Sequence, residues 1–231
     1  VSFEIEPGET VAILGQSGSG KTTLINLIPR FYDVTEGSVL IDGHDVRHLD
    51  LTSLRSHIAI AEQQAMLFAG TFDDNLRYGR PDADHEDLCV ASRIADAHEF
   101  ISAQVEGYEG NVAEQGKNLS GGQRQRVSLA RALAVDPRIL ILDDTTSAVD
   151  VATDARIQAG LSESMAGRTI FIVAQRISTA IGADKIILLD HGRISDVGNH
   201  RELMGRSELY REIVESQLGP IDEIASLLAS R

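Results

Sequence analysis

The densest chemistry in the chain lies in one run of residues, Gly15–Gln16–Ser17–Gly18–Ser19–Gly20–Lys21–Thr22. Glycines free a backbone to wrap so that successive N–H groups point inward at anionic oxygens. The run sits between the apolar Val11–Ala12–Ile13–Leu14 and a helical pattern over about Lys21–Ile28. A helix opening there adds about half a positive charge at the same point. Lys21 is spaced to reach the β- and γ-phosphates of a nucleoside triphosphate, and the Thr22 hydroxyl to hold Mg²⁺. Gly15, Ser17, Gly18, Ser19, Gly20 and Thr23 complete the ligand-facing set. A plain strand–turn–helix needs far less glycine and no Lys-Thr, so the pattern selects phosphate binding.

A triphosphate site also needs an acid at the end of a buried strand, where it can hold the metal's coordination shell. Ile139–Leu140–Ile141–Leu142–Asp143–Asp144 supplies it. Asp143 is the metal-side acid, and Asp144 stands where a carboxylate can orient or deprotonate water. Alone, an apolar strand ending in Asp is common; downstream of a phosphate loop it completes a site. A second anion-binding feature is Leu119–Ser120–Gly121–Gly122–Gln123, directly before a helix reading Arg124–Gln125–Arg126–Val127–Ser128–Leu129–Ala130–Arg131–Ala132. Ser120 suits an N-cap, and Gly121 and Gly122 allow close backbone approach.

Several elements must hold these residues in place. Val1–Glu6 alternates apolar and polar residues and reads as a strand closed by Pro7–Gly8. Thr10–Leu14, Ile58–Ala61, Ile139–Leu142, Thr169–Ala174 and Lys185–Asp190 read as further strands, the last turning at His191–Gly192. Ser38–Ile41 ends at Asp42–Gly43, a hairpin signal. Helical pattern covers about 71–105, 121–135 and 153–164; the stretch 71–135, with no convincing strand, is expected to be a helical insertion. Helices finish the chain, the final one an amphipathic segment, Ile221–Leu228, expected to pack on the domain. Strands alternating with helices indicate an α/β fold with a parallel sheet.

Composition narrows the function classes. A formal net charge of −14 over 231 residues argues against nucleic-acid binding, because phosphate backbones need a basic face. No apolar run approaches the ~18–20 residues that span a bilayer. Cys89 is the single cysteine, which rules out an internal disulfide and fits a reducing compartment; its apolar-periodic setting predicts a packing role. His44, His48 and His57 lack metal-ligand spacing, and Lys185 and Arg193 are expected to be solvated. The chain opens on Val1 inside a strand-like run and reads as a C-terminal portion of something longer, any membrane part lying on another segment or chain.

With the phosphate loop and strand-end acid upstream and downstream of it, Leu119–Gln123 followed by Arg124–Gln125–Arg126 strongly resembles the signature of ABC ATPases, and the resemblance runs in order over essentially the whole chain. It implies one nucleotide-binding domain over 1–231. That domain would have a P-loop NTPase (RecA-like) core with a small antiparallel β part, about 1–70 and 136–218, and a helical signature subdomain, about 71–135. A transmembrane domain and the aromatic A-loop that stacks on adenine are implied upstream. Gln63 resembles the Q-loop glutamine that touches Mg²⁺ and water and senses the transmembrane domain; Gln64 beside it leaves the register open by one position. Ser147–Ala148–Val149–Asp150 is similar to the D-loop, which crosses to the partner subunit. Asn111–Gly116, with Glu114 at the acidic position, resembles the X-loop of exporters, and Phe68–Thr71 also favours an exporter over an importer.

The resemblance further implies ATP and Mg²⁺ as ligands, with Thr22, Gln63 and Asp143 on the metal side and Asp144, Gln175 and Gln63 in catalysis. Family domains pair head to tail, each ATP lying between one subunit's P-loop and the other's signature, here Ser120, Gly121, Gly122 and Gln123. Coupling helices of the transmembrane domains dock on them at the cytoplasmic face of the cell (inner) membrane.

Two positions depart from the family's pattern. The family usually has Glu after the strand-end Asp, where this chain has Asp144, and His in the switch loop, where Phe171–Ile172–Val173–Ala174–Gln175–Arg176–Ile177–Ser178–Thr179 has Gln175. Asp retracts the carboxylate by about an ångström, and displacements near that size can cost ~100-fold in rate. Gln175 can donate an amide hydrogen bond but cannot carry imidazole's proton or charge. Together they resemble the degenerate-site subunit of heterodimeric bacterial ABC exporters, slow at its own P-loop while its intact signature completes a partner's site. The same motifs leave three alternatives: a homodimeric exporter with two slow sites, a soluble ABC ATPase, and a binding-only regulatory module.

Overall fold

The computed structural model describes residues 1–219; the helix expected over Ile221–Leu228 lies outside them. Along the chain come β1 (Thr10–Leu14), α1 (Lys21–Asn26), β2 (Leu40–Ile41), β3 (His44–Asp45), α2 (Leu51–Ser56) and β4 (Ile58–Ala61). A mostly helical stretch follows: β5 (Gly70–Thr71), α3 (Phe72–Arg77), α4 (His85–Ile94), α5 (His98–Ser102), β6 (Asn111–Val112) and α6 (Gly121–Ala134). The chain then runs through β7 (Ile139–Asp143), α7 (Val151–Ser164), β8 (Thr169–Val173), α8 (Ile177–Ala180), β9 (Lys185–Asp190) and β10 (Arg193–Gly198). It closes with α9 (His200–Arg206) and α10 (Glu208–Leu218).

A strand apolar on both faces is stable only when both faces of its sheet are covered, and β1, β7, β8 and β9 are of that kind. They sit inside a six-stranded sheet of order β10-β9-β1-β8-β7-β4. Every pairing is parallel except that of β10, which returns antiparallel along β9 as an edge. Alternate residues feed two cores. Ala12, Leu14, Leu140, Leu142, Ile170 and Ile172 face α4, α6 and α7 and the C-terminal helices. Val11, Ile13, Ile141, Phe171 and Val173 face Ile25 of α1, Leu54 of α2 and Val46 in the turn after β3. The fold is α/β with a parallel core, as the alternation of elements predicts.

Some expectations need correction. Val1–Glu6 forms no strand; Phe3 and Ile5 rest half-buried on the second core, so the alternation reports which side chains lie inward, without a ladder. The stretch 71–135 does hold strands: β5 and β6 pair antiparallel, Gly70 with Val112 and Thr71 with Asn111, and two residues per strand are too few to show a period. β10 was likewise unmarked in the sequence beyond the turn before it. Lys185 is half-buried and paired rather than simply solvated: its ammonium donates to Glu4 O at 2.8 Å and to Glu9 Oε2 at 2.7 Å. Cys89 is buried in the first core, as expected of a packing residue.

Asp96, at the corner between α4 and α5, joins three elements. Its carboxylate accepts from Arg126 Nη1 on α6 at 3.0 Å and from Arg156 Nε and Nη2 on α7 at 2.9 and 3.0 Å. The Arg156 guanidinium holds the carboxyl below its ordinary range, against the opposing effect of burial. Such a bond is fully present above the ordinary carboxylate pKa and is lost as pH falls through the depressed one. Asp96→Ala is therefore expected to lower the unfolding free energy by about 1–3 kcal/mol at neutral pH. Urea unfolding at neutral and acid pH should show that gap closing as the wild-type carboxyl protonates.

Candidate active site

Ligands of parallel α/β sheets bind beyond the carboxyl ends of the strands. Here Ala12 pairs with Ile172, Ile172 with Leu142 and Leu142 with Ala61, a single row across β1, β8, β7 and β4. The residues that follow these strands therefore leave from one edge: the loop from Gly15, the segment at Gln175, the acids Asp143 and Asp144, and Gln63.

The glycine-rich loop leaves β1 under tight backbone restraint. A Cβ at Gly15 would stand 2.3 Å from Leu189 O and 2.6 Å from Ser19 Oγ, so no larger residue fits. Gly20 closes the loop at φ 99°, a left-handed conformation that side chains resist, and α1 opens from it without a side-chain cap. Among the described residues, Ser19 Oγ is buried with no hydrogen-bond partner. Ser17, Gly18, Thr22 and Thr23 are exposed on the loop and first turn. Lys21 Nζ lies back over the loop, donating to Gly15 O at 2.8 Å and Gln16 O at 2.9 Å. Burial pushes this ammonium below its ordinary range, opposed by the Asp143 and Asp144 carboxylates.

Opposite the loop, Thr22 Oγ1 donates to Asp143 Oδ2 at 3.1 Å, across 121 positions of sequence. Burial raises the Asp143 carboxyl above its usual range, countered by the Thr22 hydroxyl and the charge of Lys21. Asp144 turns away from β7 at φ 50°. Its Oδ2 accepts two amides at once, Gln63 Nε2 at 3.1 Å and Gln175 Nε2 at 2.8 Å. Burial raises this carboxyl too; the Gln63 bond works against burial and the nearby Asp143 charge with it. Gln63, and not the neighbouring Gln64, is thus the glutamine whose amide reaches Asp144.

The Ser120–Gln123 segment is built as an N-terminus. Gln123 N donates to Ser120 Oγ at 3.2 Å and Ser120 N to Gln123 Oε1 at 2.9 Å, a reciprocal capping box worth about 1 kcal/mol. A Cβ on Gly122 would come within 3.0 Å of Ala148 O, so glycine allows α6 to seat against the loop after β7. Among the described residues, no hydrogen bond links Ser120–Gln123 to residues 15–23 of the same chain. Sequence reasoning missed Gln125: its amide donates to Ser147 Oγ at 3.0 Å and accepts from Ala148 N at 2.9 Å. Nothing about a polar residue inside a helix announces a partner 22 positions away. Glu114 is exposed.

The donor set fits a triphosphate and a hard divalent cation. A Cβ would fill the cradle at Gly15, Ser19 Oγ is an orphaned buried polar atom, and the oxygens of Thr22 and Asp143 suit Mg²⁺. Among the described residues no cluster of three or more His, Cys, Asp or Glu side chains could cage a metal alone, so such a cation would draw on phosphate and water.

The sequence model of the ABC transporter family matches residues 1–147. The chain is 48% identical over 217 residues to the ABC transporter ATP-binding protein YknV of Bacillus subtilis, covering 94% of this chain and 36% of that protein. It is 46% identical over 217 residues to the ATP-dependent lipid A-core flippase of Saccharophagus degradans, covering 94% of this chain and 37% of that protein. A bacterial Atm1-family ABC exporter solved with ATP bound superimposes with a TM-score of 0.92 at 40% identity, over 95% of this chain and 38% of that one. The chain belongs to the ABC transporter family, as an ATP-binding domain, and spans somewhat over a third of the length of these relatives.

The raised carboxyl of Asp144 has a measurable consequence. Between the ordinary and the raised pKa the folded chain holds more proton there than the unfolded chain, so stability falls as pH climbs through that window. Asp144→Asn keeps an oxygen for both glutamine amides and removes the buried charge. It is expected to raise the melting temperature at neutral pH, with the difference shrinking as pH drops into the carboxylate range. An unchanged or lower melting temperature at neutral pH would show the charge to be fully compensated.

Proposed function

We propose that this chain is the ATP-binding and hydrolysing domain of an ABC-type membrane exporter, and the member of a heterodimeric pair whose own ATP site is catalytically weakened. The observation that carries the reading is the convergence of Gln63 and Gln175 on one oxygen of Asp144. Two donated amides take up the lone pairs of Oδ2, so that oxygen cannot also accept a hydrogen bond from an attacking water, even though burial leaves the carboxyl raised on balance. The carboxylate itself is on the short Asp stem, and Gln175 offers an amide where an imidazole could bring charge.

In this reading the backbone from Gly15 to Gly20 cradles the β- and γ-phosphates, and Lys21 moves its ammonium from the loop carbonyls to phosphate oxygens. Thr22 and Asp143, with Gln63, would hold Mg²⁺, which supplies charge neutralisation at the phosphates. Asp144 orients the attacking water, and Gln175 donates to the γ-phosphate. Ser120, Gly121, Gly122 and Gln123 face a second nucleotide-binding domain, head to tail, and complete that partner's site. The separation of Ser120–Gln123 from the chain's own loop supports this, since both belong to one family's ATP chemistry.

The domain divides, in this reading, into a core of about 1–70 and 136–218 and a helical unit of about 71–135. Coupling helices of transmembrane domains, at the cytoplasmic face of the membrane, would meet the exposed Met66, Phe68 and Tyr78 close after Gln63. Phe68 stacks on Tyr78 at 4.5 Å and lies under the Arg131 guanidinium at 5.4 Å. An apolar surface there suits a protein partner.

Two experiments test the asymmetry. In the assembled transporter, Lys21→Ala is expected to leave most turnover intact, while the matching change in the companion domain abolishes it; equal loss from both would rule the asymmetry out. Asp144→Glu combined with Gln175→His is expected to raise hydrolysis at this site by about tenfold or more, since reach and charge are both restored. No increase in the ATPase assay would count against the geometric explanation.

A further inference from the structure

Gln175 reaches Asp144 from a loop whose other side-chain contacts belong to the site itself. Arg176 Nη2, next along, donates to Ser147 O at 3.3 Å, on the same loop after β7 that carries Asp144. The backbone of this segment is gripped from another direction. Gln217 Nε2 donates to the Gln175 carbonyl at 2.9 Å, and Gln217 Oε1 accepts from Ile177 N–H at 2.7 Å. α8 begins at Ile177, and its own N-cap residue, Arg176, offers no side-chain bond. A first-turn N–H needs an outside acceptor, and the distant glutamine provides it.

The helix that carries Gln217 is firmly seated. Tyr210, Val214 and Gln217 recur at i, i+4 and i+7, which is one face of α10. Tyr210 and Val214 are fully buried, and the Tyr210 hydroxyl lies 2.7 Å from His200 Nδ1 on α9. Gln217 follows on the same face but is itself exposed, the polar position at which the buried stripe gives way to the site.

We infer that Gln217 is a positioning residue for the switch-loop amide. By holding the backbone on both sides of Arg176 to α10, it sets where Gln175 Nε2 stands against Asp144 and against the γ-phosphate. This rests on the reading that Asp144 and Gln175 frame the reacting phosphate. The two hydrogen bonds act on the placement of a group that meets the transition state, not on the cradle that binds ATP. The effect therefore belongs in kcat and not in KM.

The test uses the complete transporter, with a non-identical companion's P-loop lysine replaced by alanine so that bound nucleotide reports on this site. Gln217→Met keeps length and bulk without either bond. Gln217→Glu keeps the acceptor for Ile177 N–H and loses the donor to Gln175 O. Tyr210→Phe removes the His200 contact and serves as a control for general loosening of α10. Gln217→Met is expected to slow conversion of bound radiolabelled ATP to ADP by about five- to fiftyfold, within the range that sub-ångström misplacement produces. Mg-ATP affinity should stay within about twofold, Gln217→Glu should fall between, and amide exchange at 175–177 should quicken in both. Tyr210→Phe should keep parental turnover. Normal uptake with parental turnover and exchange in Gln217→Met would overturn the inference alone, as would an equal loss in Tyr210→Phe. A parental complex that takes up no Mg-ATP would overturn the underlying reading, and the inference with it.

Discussion

Parallel pairing puts Ala12, Ile172, Leu142 and Ala61 in one row, and the site depends on that alignment. A slip of one residue between β7 and β8 would turn every apolar side chain of one strand to the other face. The two-sided core forbids it, because both sets of alternate residues are buried. Apolar packing far from any phosphate thereby fixes the spacing between loop, acids and glutamines. The polar chemistry is placed by the hydrophobic chemistry beneath it.

The edge of the sheet carries an electrostatic cost that binding can use. Asp143, Asp144 and Lys21 are each pushed by burial toward their neutral forms; Lys21 and Asp143 partly restore each other, while Asp144 is restored by Gln63 and Arg176 and pushed further by the Asp143 charge. Buried charges of this kind weaken a fold unless paired, and functional sites often carry them at the expense of stability. An orphaned Ser19 hydroxyl beside them adds to that cost. A ligand that brings phosphate oxygens and a cation to the same place answers several of these unmet demands together.

Most of this architecture was legible before any coordinates. Gly15–Thr22 and the apolar run ending at Asp143 declare themselves because their chemistry is local: adjacent residues share one job. Gln63 was readable only with a one-position ambiguity, which the contact with Asp144 removes. What escaped has a common cause. Gln125 and Gln217 act across 22 to 42 positions, and a glutamine in a helix looks solvated until its partner is known. β5 and β6 are too short to show a period, and Val1–Glu6 shows one without a partner strand. The sequence makes Lys185 look solvated because its partners Glu4 and Glu9 stand 181 and 176 positions away.

The grip of Gln125 on Ser147 and Ala148 extends one step further. Ser147 Oγ in turn donates to the Asp144 carbonyl at 3.0 Å, so the mouth of α6 and the backbone of the second acid are separated by two side chains. Any displacement of the Asp144 backbone must therefore stretch or carry with it the hydroxyl and amide that tie it to α6. The loop after β7 and the first turns of α6 are thus joined by a tether only as long as one serine and one glutamine.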